Sequence, residues 1–333
     1  VSILDIRSLE VSFQTKLGPL KAVRGIDLCL NPGEIVGLVG ESGSGKSAAC
    51  QAILKLIPHA LIRGSVFFHG EDILTRSERE LAAIRGSRIG MMFQDSLTAL
   101  NPTRPIGDQI IEGMIKHRRI KKTLAFQKGV EILFQLGVNH PVERMEQYPH
   151  EMSGGIRQRI MLAIAISCQP ELLIADEPTT SLDVVTQAQI LQLLKSLNIS
   201  ILFITHDLNL ISKIADRIYV MYAGKIIESN TTEELFNRPA HPYTKALFES
   251  TPNLVPREQA LRVIPGSPPS PYNIPAGCPF HPRCPDAMKL CALKDPSQEA
   301  SLPNPCWKYH PNAPEKSDAA DSSQSFVETI HLR

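Results

Sequence analysis

The chain has 333 residues, 43% of them hydrophobic, with 35 Lys and Arg against 34 Asp and Glu. That length fits about two domains with a core of ordinary size, and the balanced charge offers no bulk positive field for nucleic acid. The longest apolar runs are strand-sized, far below the roughly 20 residues of a membrane span. The N-terminal stretch, with Asp5, Arg7 and Glu10 among alternating apolar residues, reads as a strand and not as a secretory signal. The expectation is a chain that does not span a bilayer and works in the cytoplasm.

From residue 1 to about 238, short apolar strands alternate with amphipathic helices, the pattern of an α/β sheet with crossover helices. Parallel strands are expected at Ile35–Val39, Ile89–Phe93, Leu172–Ala175 and Ile201–Ile204. Residues 96–150 lack strand runs and carry helical periodicity, as in Ile106–Ile115 and Leu124–Leu136, so a helical insertion is expected there. After Pro239 the chain turns proline-rich and loses regular periodicity, so the compact domain is expected to close near that point. From Pro311 onward Ser, Asp, Ala and Lys dominate, which predicts disorder. Cys29, Cys50 and Cys168 sit singly in apolar segments and read as buried small hydrophobes. Cys278, Cys284, Cys291 and Cys306 crowd into the last sixth of the chain.

The first chemical motif is Gly40-Glu41-Ser42-Gly43-Ser44-Gly45-Lys46-Ser47, placed after the strand Ile35–Val39 and before a helical stretch. It satisfies G-x-x-x-x-G-K-S in the strand-loop-helix context the motif needs. Small residues let backbone N–H groups wrap phosphates, Lys46 reaches the β- and γ-phosphates, and the Ser47 hydroxyl ligates Mg2+. The second motif is the apolar strand Leu172–Ala175 ending in Asp176 and Glu177. Carboxyl ends of parallel strands line the ligand crevice, which aims both acids at a nucleotide: Asp176 to hold magnesium through water, Glu177 to polarise the attacking water. At the end of the strand Ile199–Thr205, His206 is placed to hydrogen-bond the γ-phosphate. Gln94 closes the strand Ile89–Phe93 with an amide able to touch both magnesium and the attacking water. A second glycine-containing turn, Met152-Ser153-Gly154-Gly155-Ile156, opens a further helix and could hold another anion; a plain tight turn is the bland alternative.

In this order, Gly40 to Ser47, Gln94, Ser153-Gly154-Gly155, Asp176-Glu177, Ser181-Leu182-Asp183 and His206 resemble the nucleotide-binding subunit of ABC transporters over roughly residues 1–238. The resemblance implies an α/β P-loop NTPase cassette with an antiparallel β subdomain and a helical subdomain at about 96–165. It also implies that Phe13 stacks on adenine, that Ser181 to Asp183 form the loop signalling between subunits, and that Ser153, Gly154 and Gly155 bind the γ-phosphate of ATP held by the opposite subunit. Two departures stand out: Met152 and Ile156 occupy positions where Leu and Gln are usual, and Phe13 replaces Tyr, keeping the π face and losing a hydroxyl.

Leu97-Thr98-Ala99-Leu100-Asn101-Pro102, with Ile106-Gly107-Asp108-Gln109 after it, resembles importers of dipeptides, oligopeptides and nickel. His241 to Leu247, and Gly277 to Pro285 with its cysteines, resemble the C-terminal extension of the peptide importers. The expected organisation is a cassette at 1–238, a small irregular cysteine-rich extension at 239–310 and a tail at 311–333. The expected function is an ATPase energising peptide import from the cytoplasmic face of the inner membrane. Its implied partners are a second, related ATPase, two transmembrane permeases docked on the helical insertion, and an extracytoplasmic peptide-binding protein. Alternatives are a nickel or other small-solute importer of the same subfamily, a soluble ABC-type ATPase, and an ATP-binding regulator that does not hydrolyse; Glu177 and His206 argue against the last.

The four clustered cysteines are separated by five, six and fourteen residues. A reducing cytosol disfavours disulfides, and the gaps exceed the two to four residues typical between paired zinc ligands. An iron–sulfur cluster (4Fe-4S) needs Cys₄ ligation and tolerates varied spacing, and the resemblance points the same way. Zn2+ and metal-free thiols stay open as alternatives. The role expected of a bound metal is a structural cross-link in a segment with little apolar core.

Overall fold

The computed structural model describes residues 2–94, 99–179, 182–252, 261–298 and 306–309. Leu97, Thr98, Ser181 and the tail from residue 311 lie outside the described residues. Two sheets organise the chain. An antiparallel sheet of order β2-β1-β4-β5 is built from β1 (Leu4–Thr15), β2 (Gly18–Leu30), β4 (Ala60–Phe68) and β5 (Glu71–Asp72). A second sheet has order β10-β9-β3-β8-β7-β6 and comprises β3 (Ile35–Val39), β6 (Ile89–Met92), β7 (Leu172–Asp176), β8 (Ser200–Thr205), β9 (Arg217–Tyr222) and β10 (Lys225–Thr231). In it β9, β3, β8, β7 and β6 run parallel, and β10 pairs antiparallel at one edge.

The parallel strands are nearly continuous apolar runs because both faces of the sheet are covered. Successive side chains divide between two cores with period two. Ile35, Val39, Leu173, Ala175, Ile201 and Phe203 join the core under the helices. Val36, Leu38, Leu172, Ile174, Leu202 and Ile204 join the core shared with the antiparallel sheet. The expected strand Ile35–Val39 is found with those bounds, while the acid strand extends one residue further, to Asp176, and β6 stops at Met92, one residue before Phe93.

From Ile106 the stretch is helical, as its periodicity predicts, with helices at Ile106–Arg118, Lys122–Gln135 and Pro141–Glu146. Ile106, Ile110, Ile111 and Met114 form the buried stripe of the first, an i, i+4, i+5, i+8 pattern that faces one side of a 3.6-residue helix. The described residues after Pro239 contain helices at Pro242–Glu249 and Lys289–Leu293 and short turns, and they do not stand apart. Tyr243 and Phe280 are fully buried in the cassette's own helical-side core, with rings 4.6 and 5.4 Å from Tyr222 at the end of β9. Among the described residues, no helix is long and apolar enough to cross a membrane.

Candidate nucleotide site

The loop 40–45 joins the end of the central strand β3 to helix α1 (Lys46–Ile53). Gly45 caps that helix at φ +104 with no side-chain cap, so the first N–H groups stay available to an anion. The glycines are demanded by geometry: a Cβ on Gly45 would collide with the Ala22 carbonyl, and one on Gly40 with the Met221 carbonyl. Lys46 is buried, its Nζ donating to the carbonyls of Gly40 at 2.7 Å and Glu41 at 2.9 Å. Burial lowers the Lys46 pKa, opposed by the nearby charges of Glu177 and Asp176. A desolvated ammonium facing its own loop carbonyls is poised to trade them for phosphate oxygens.

Asp176 ends β7 almost completely buried. Burial raises its pKa, against a hydrogen bond from Ser47 and with Glu177 pushing further up. Its Oδ1 has no hydrogen-bond partner. An orphaned carboxylate oxygen beside the Ser47 hydroxyl is the donor set Mg2+ takes, and the cation would remove the cost of that burial. Glu177 follows in the left-handed region at φ +49, its N–H bound to the Ile204 carbonyl at 2.9 Å. Its Oε1 lies 2.9 Å from Nδ1 of His206, just beyond the end of the neighbouring strand β8. The two strands run side by side through Asp176 and Ile204, which brings the acid and the imidazole together.

Gln94 is exposed, two residues beyond β6 and therefore two strands from β8. Phe13 lies half-buried on β1, packed on the core of the antiparallel sheet. Ser153 is the exposed N-cap of the helix Gly154–Ile166 and makes no side-chain cap bond. Gln158, in the second turn of that helix, donates to the carbonyl of Glu177 at 3.3 Å. Leu182 packs on the helical-side core, and Asp183 caps the helix Val184–Ser196 by accepting from the Thr186 N–H at 3.0 Å, which holds its carboxyl below the usual range.

Two partners of the phosphate loop escape sequence reasoning. The Tyr243 hydroxyl accepts from the N–H of Glu41 at 2.9 Å, and Arg283 grips the Glu41 carboxylate with both terminal nitrogens at 2.7 and 3.0 Å. The separation of 242 residues leaves no periodic or motif signal to find the second contact.

Cys278, Cys284, Cys291 and Cys306 line one small cavity with His241, His281 and Asp286. Burial pushes the Cys278 and Cys284 thiols up to about 12, reinforced by neighbouring cysteines. Cys291 and Cys306 shift the same way for the same reason. Four thiols on one cavity are a Cys₄ donor set. As they stand, however, no group of three or more His, Cys, Asp or Glu side chains among the described residues is arranged to hold a metal ion.

The family model for the ABC transporter matches residues 23–180, and that for the oligopeptide/dipeptide transporter C-terminal region matches residues 227–291. The chain belongs to the ATP-binding subunits of this ABC transporter family. It is 46% identical over 323 residues to the oligopeptide transport ATP-binding protein OppD of Bacillus subtilis, covering 94% of this chain and 90% of that protein. It is 45% identical over 303 residues to the dipeptide transport ATP-binding protein DppD of the same organism, covering 89% and 90%. Among solved structures, a dimeric bacterial ABC transporter cassette superposes with a TM-score of 0.64 at 26% identity, over 69% of this chain and 98% of that one. As an ABC ATPase, the chain uses the α/β cassette, antiparallel subdomain and helical region in the arrangement described above.

Proposed function

We propose that this ATPase energises the import of oligopeptides or dipeptides through a membrane ABC transporter. The observation that carries the hydrolytic part is the 2.9 Å contact between Glu177 and His206 at the sheet end that also carries Lys46 and Asp176. The peptide assignment rests on the match of the C-terminal region and on the relatives that share nearly the whole chain.

In this reading, Lys46 and the N–H groups of Gly40 to Ser47 bind the β- and γ-phosphates, and Phe13 stacks on adenine. Ser47, Asp176 and Gln94 hold Mg2+, which supplies charge neutralisation on the phosphates when bound. Glu177 orients the attacking water, and His206 holds Glu177 and contacts the γ-phosphate. Ser153, Gly154 and Gly155 complete the site of a second, related ATPase, and Ser181, Leu182 and Asp183 signal between the two. The exposure of Ser153 and the dimeric solved cassette support that pairing. ATP closes the pair and loss of the γ-phosphate opens it, a ligand-biased change that drives two permeases fed by an extracytoplasmic binding protein. Docking on the permeases would use the helical insertion, where Leu124 and Phe134 are exposed, and would hold the chain at the cytoplasmic membrane face.

Cys278, Cys284, Cys291 and Cys306 would hold an iron–sulfur cluster as a structural cross-link, with zinc as the competing occupant. The import reading is tested in proteoliposomes carrying both permeases, both ATPases and the binding protein. ATP-dependent accumulation of a labelled di- or oligopeptide is expected, and accumulation of nickel in place of peptide would overturn it.

A further inference from the structure

The second residue of the phosphate loop has every polar group engaged. The carbonyl of Glu41 accepts from Lys46 Nζ at 2.9 Å. Its N–H and its carboxylate, by contrast, are both held from the C-terminal region, by Tyr243 and Arg283. Arg283 directly precedes Cys284 and its side chain is only 5% exposed. It also donates to the Tyr222 hydroxyl at 3.2 Å and, through Nε, to the Pro265 carbonyl at 2.8 Å. Phe280 packs edge-on against Tyr222 and Tyr243, which fixes the segment that delivers Arg283.

A carboxylate inside a loop built to hold polyphosphate is an electrostatic liability. Left unpaired in a partly buried place, it would repel the incoming anion and pull the loop toward water. A planar guanidinium gripping both carboxylate oxygens cancels that charge and fixes the side chain in one orientation. We propose that Arg283 is a positioning residue for ATP binding: through Glu41, the cysteine-rich extension holds the phosphate loop in its binding shape and neutralises the one acid within it. The extension is thereby part of the nucleotide site's support. This inference rests on the loop Gly40 to Ser47 being the ATP site.

The test uses the full chain, a fluorescent ATP analogue with Mg2+, and thermal melting. Arg283→Met, which keeps the buried stem, is expected to weaken nucleotide binding by about tenfold. Adding Glu41→Gln to it is expected to recover most of that loss, because the liability is removed with its partner. A purely structural role for Arg283 would leave the double variant as weak as the single. That result overturns the proposal, as does binding within about twofold of the parent in folded Arg283→Met. Should Arg283→Met fail to fold, Arg283→Lys decides: a raised KM for ATP with unchanged kcat supports the proposal, and parental KM overturns it. Lys46→Ala is the control on the loop itself, since parental ATP binding there would remove the loop as the nucleotide site, independently of Arg283.

Discussion

Nδ1 of His206 and Oε1 of Glu177 meet at 2.9 Å across the ends of two adjacent parallel strands, with the acid's side chain 10% exposed and the imidazole's 55%. The backbone at Glu177 is left-handed, a conformation that costs a residue with a Cβ of order 1–3 kcal/mol and persists because the Ile204 carbonyl fixes its N–H. The strained turn and the histidine together hold one carboxylate in one place. Glu177→Gln keeps the shape and removes the carboxylate proposed to orient the attacking water, so turnover is expected to fall by about 10²–10⁴-fold with ATP binding retained. Phosphate release and equilibrium ATP titration on the assembled complex check this; near-parental hydrolysis would remove Glu177 from the mechanism.

The Ser153 turn offers a different separation of effects. Its side chain is exposed, it caps no N–H, and the helix it opens begins at Gly154. Ser153→Arg is therefore expected to leave nucleotide binding to the isolated subunit within about twofold of the parent. ATP-dependent association with the partner ATPase should be blocked, because in the proposed pairing an Arg side chain would occupy the place of the partner's nucleotide. Light scattering with and without ATP reads the association. Equal loss of binding in the isolated subunit would place this turn beside its own ATP.

Much of the site was legible because its residues stand at strand ends. Val39, Asp176 and Thr205 close short apolar runs that read as buried parallel strands, and the parallel pairing of those strands gathers the loop, the acids and the histidine at one edge. The contribution of the C-terminal region was not legible. Its local sequence, rich in proline and poor in periodicity, gives an irregular path, but the docking of Phe280 on Tyr222 and Tyr243 is a tertiary contact between segments far apart in the chain. Nothing in the spacing around Cys284 announces that its neighbour reaches Glu41. Asp183 shows a milder limit: the motif points to a subunit interface, while the fold also uses the residue to cap a helix.

Glycines in the two turns are expected to differ in what they tolerate. Gly45 sits at φ +104 with the Ala22 backbone carbonyl in the path of any Cβ, and backbone cannot swing aside as a side chain can. Gly45→Ala should cost about 1–3 kcal/mol in denaturant unfolding and abolish ATP binding. Gly154 has open space where a Cβ would stand, so Gly154→Ala should change stability by less than about 1 kcal/mol and act only when the partner subunit is present. Parental stability in Gly45→Ala would show that the loop can relax around the methyl group.

Four cysteines on one cavity pose the remaining chemical question. Burial holds Cys278 and Cys284 protonated at neutral pH, with values up to about 12, and each additional thiolate would raise its neighbours further. Only a cation that stays can offset four buried negative charges, so a metal-free site keeps its protons and a loaded one releases them. Protein purified anaerobically is expected to be brown, to contain iron and sulfide, and to lose both on Cys284→Ser. Cys168→Ser, at a thiol whose neighbourhood is the end of the Gly154–Ile166 helix, should leave them unchanged. Because the same segment carries Phe280 and Arg283, loss of the proposed cross-link in Cys284→Ser should also lower the thermal midpoint and weaken ATP binding. Colourless anaerobic protein with stoichiometric zinc would replace the cluster by a zinc site, and protein with neither metal would leave four structural thiols.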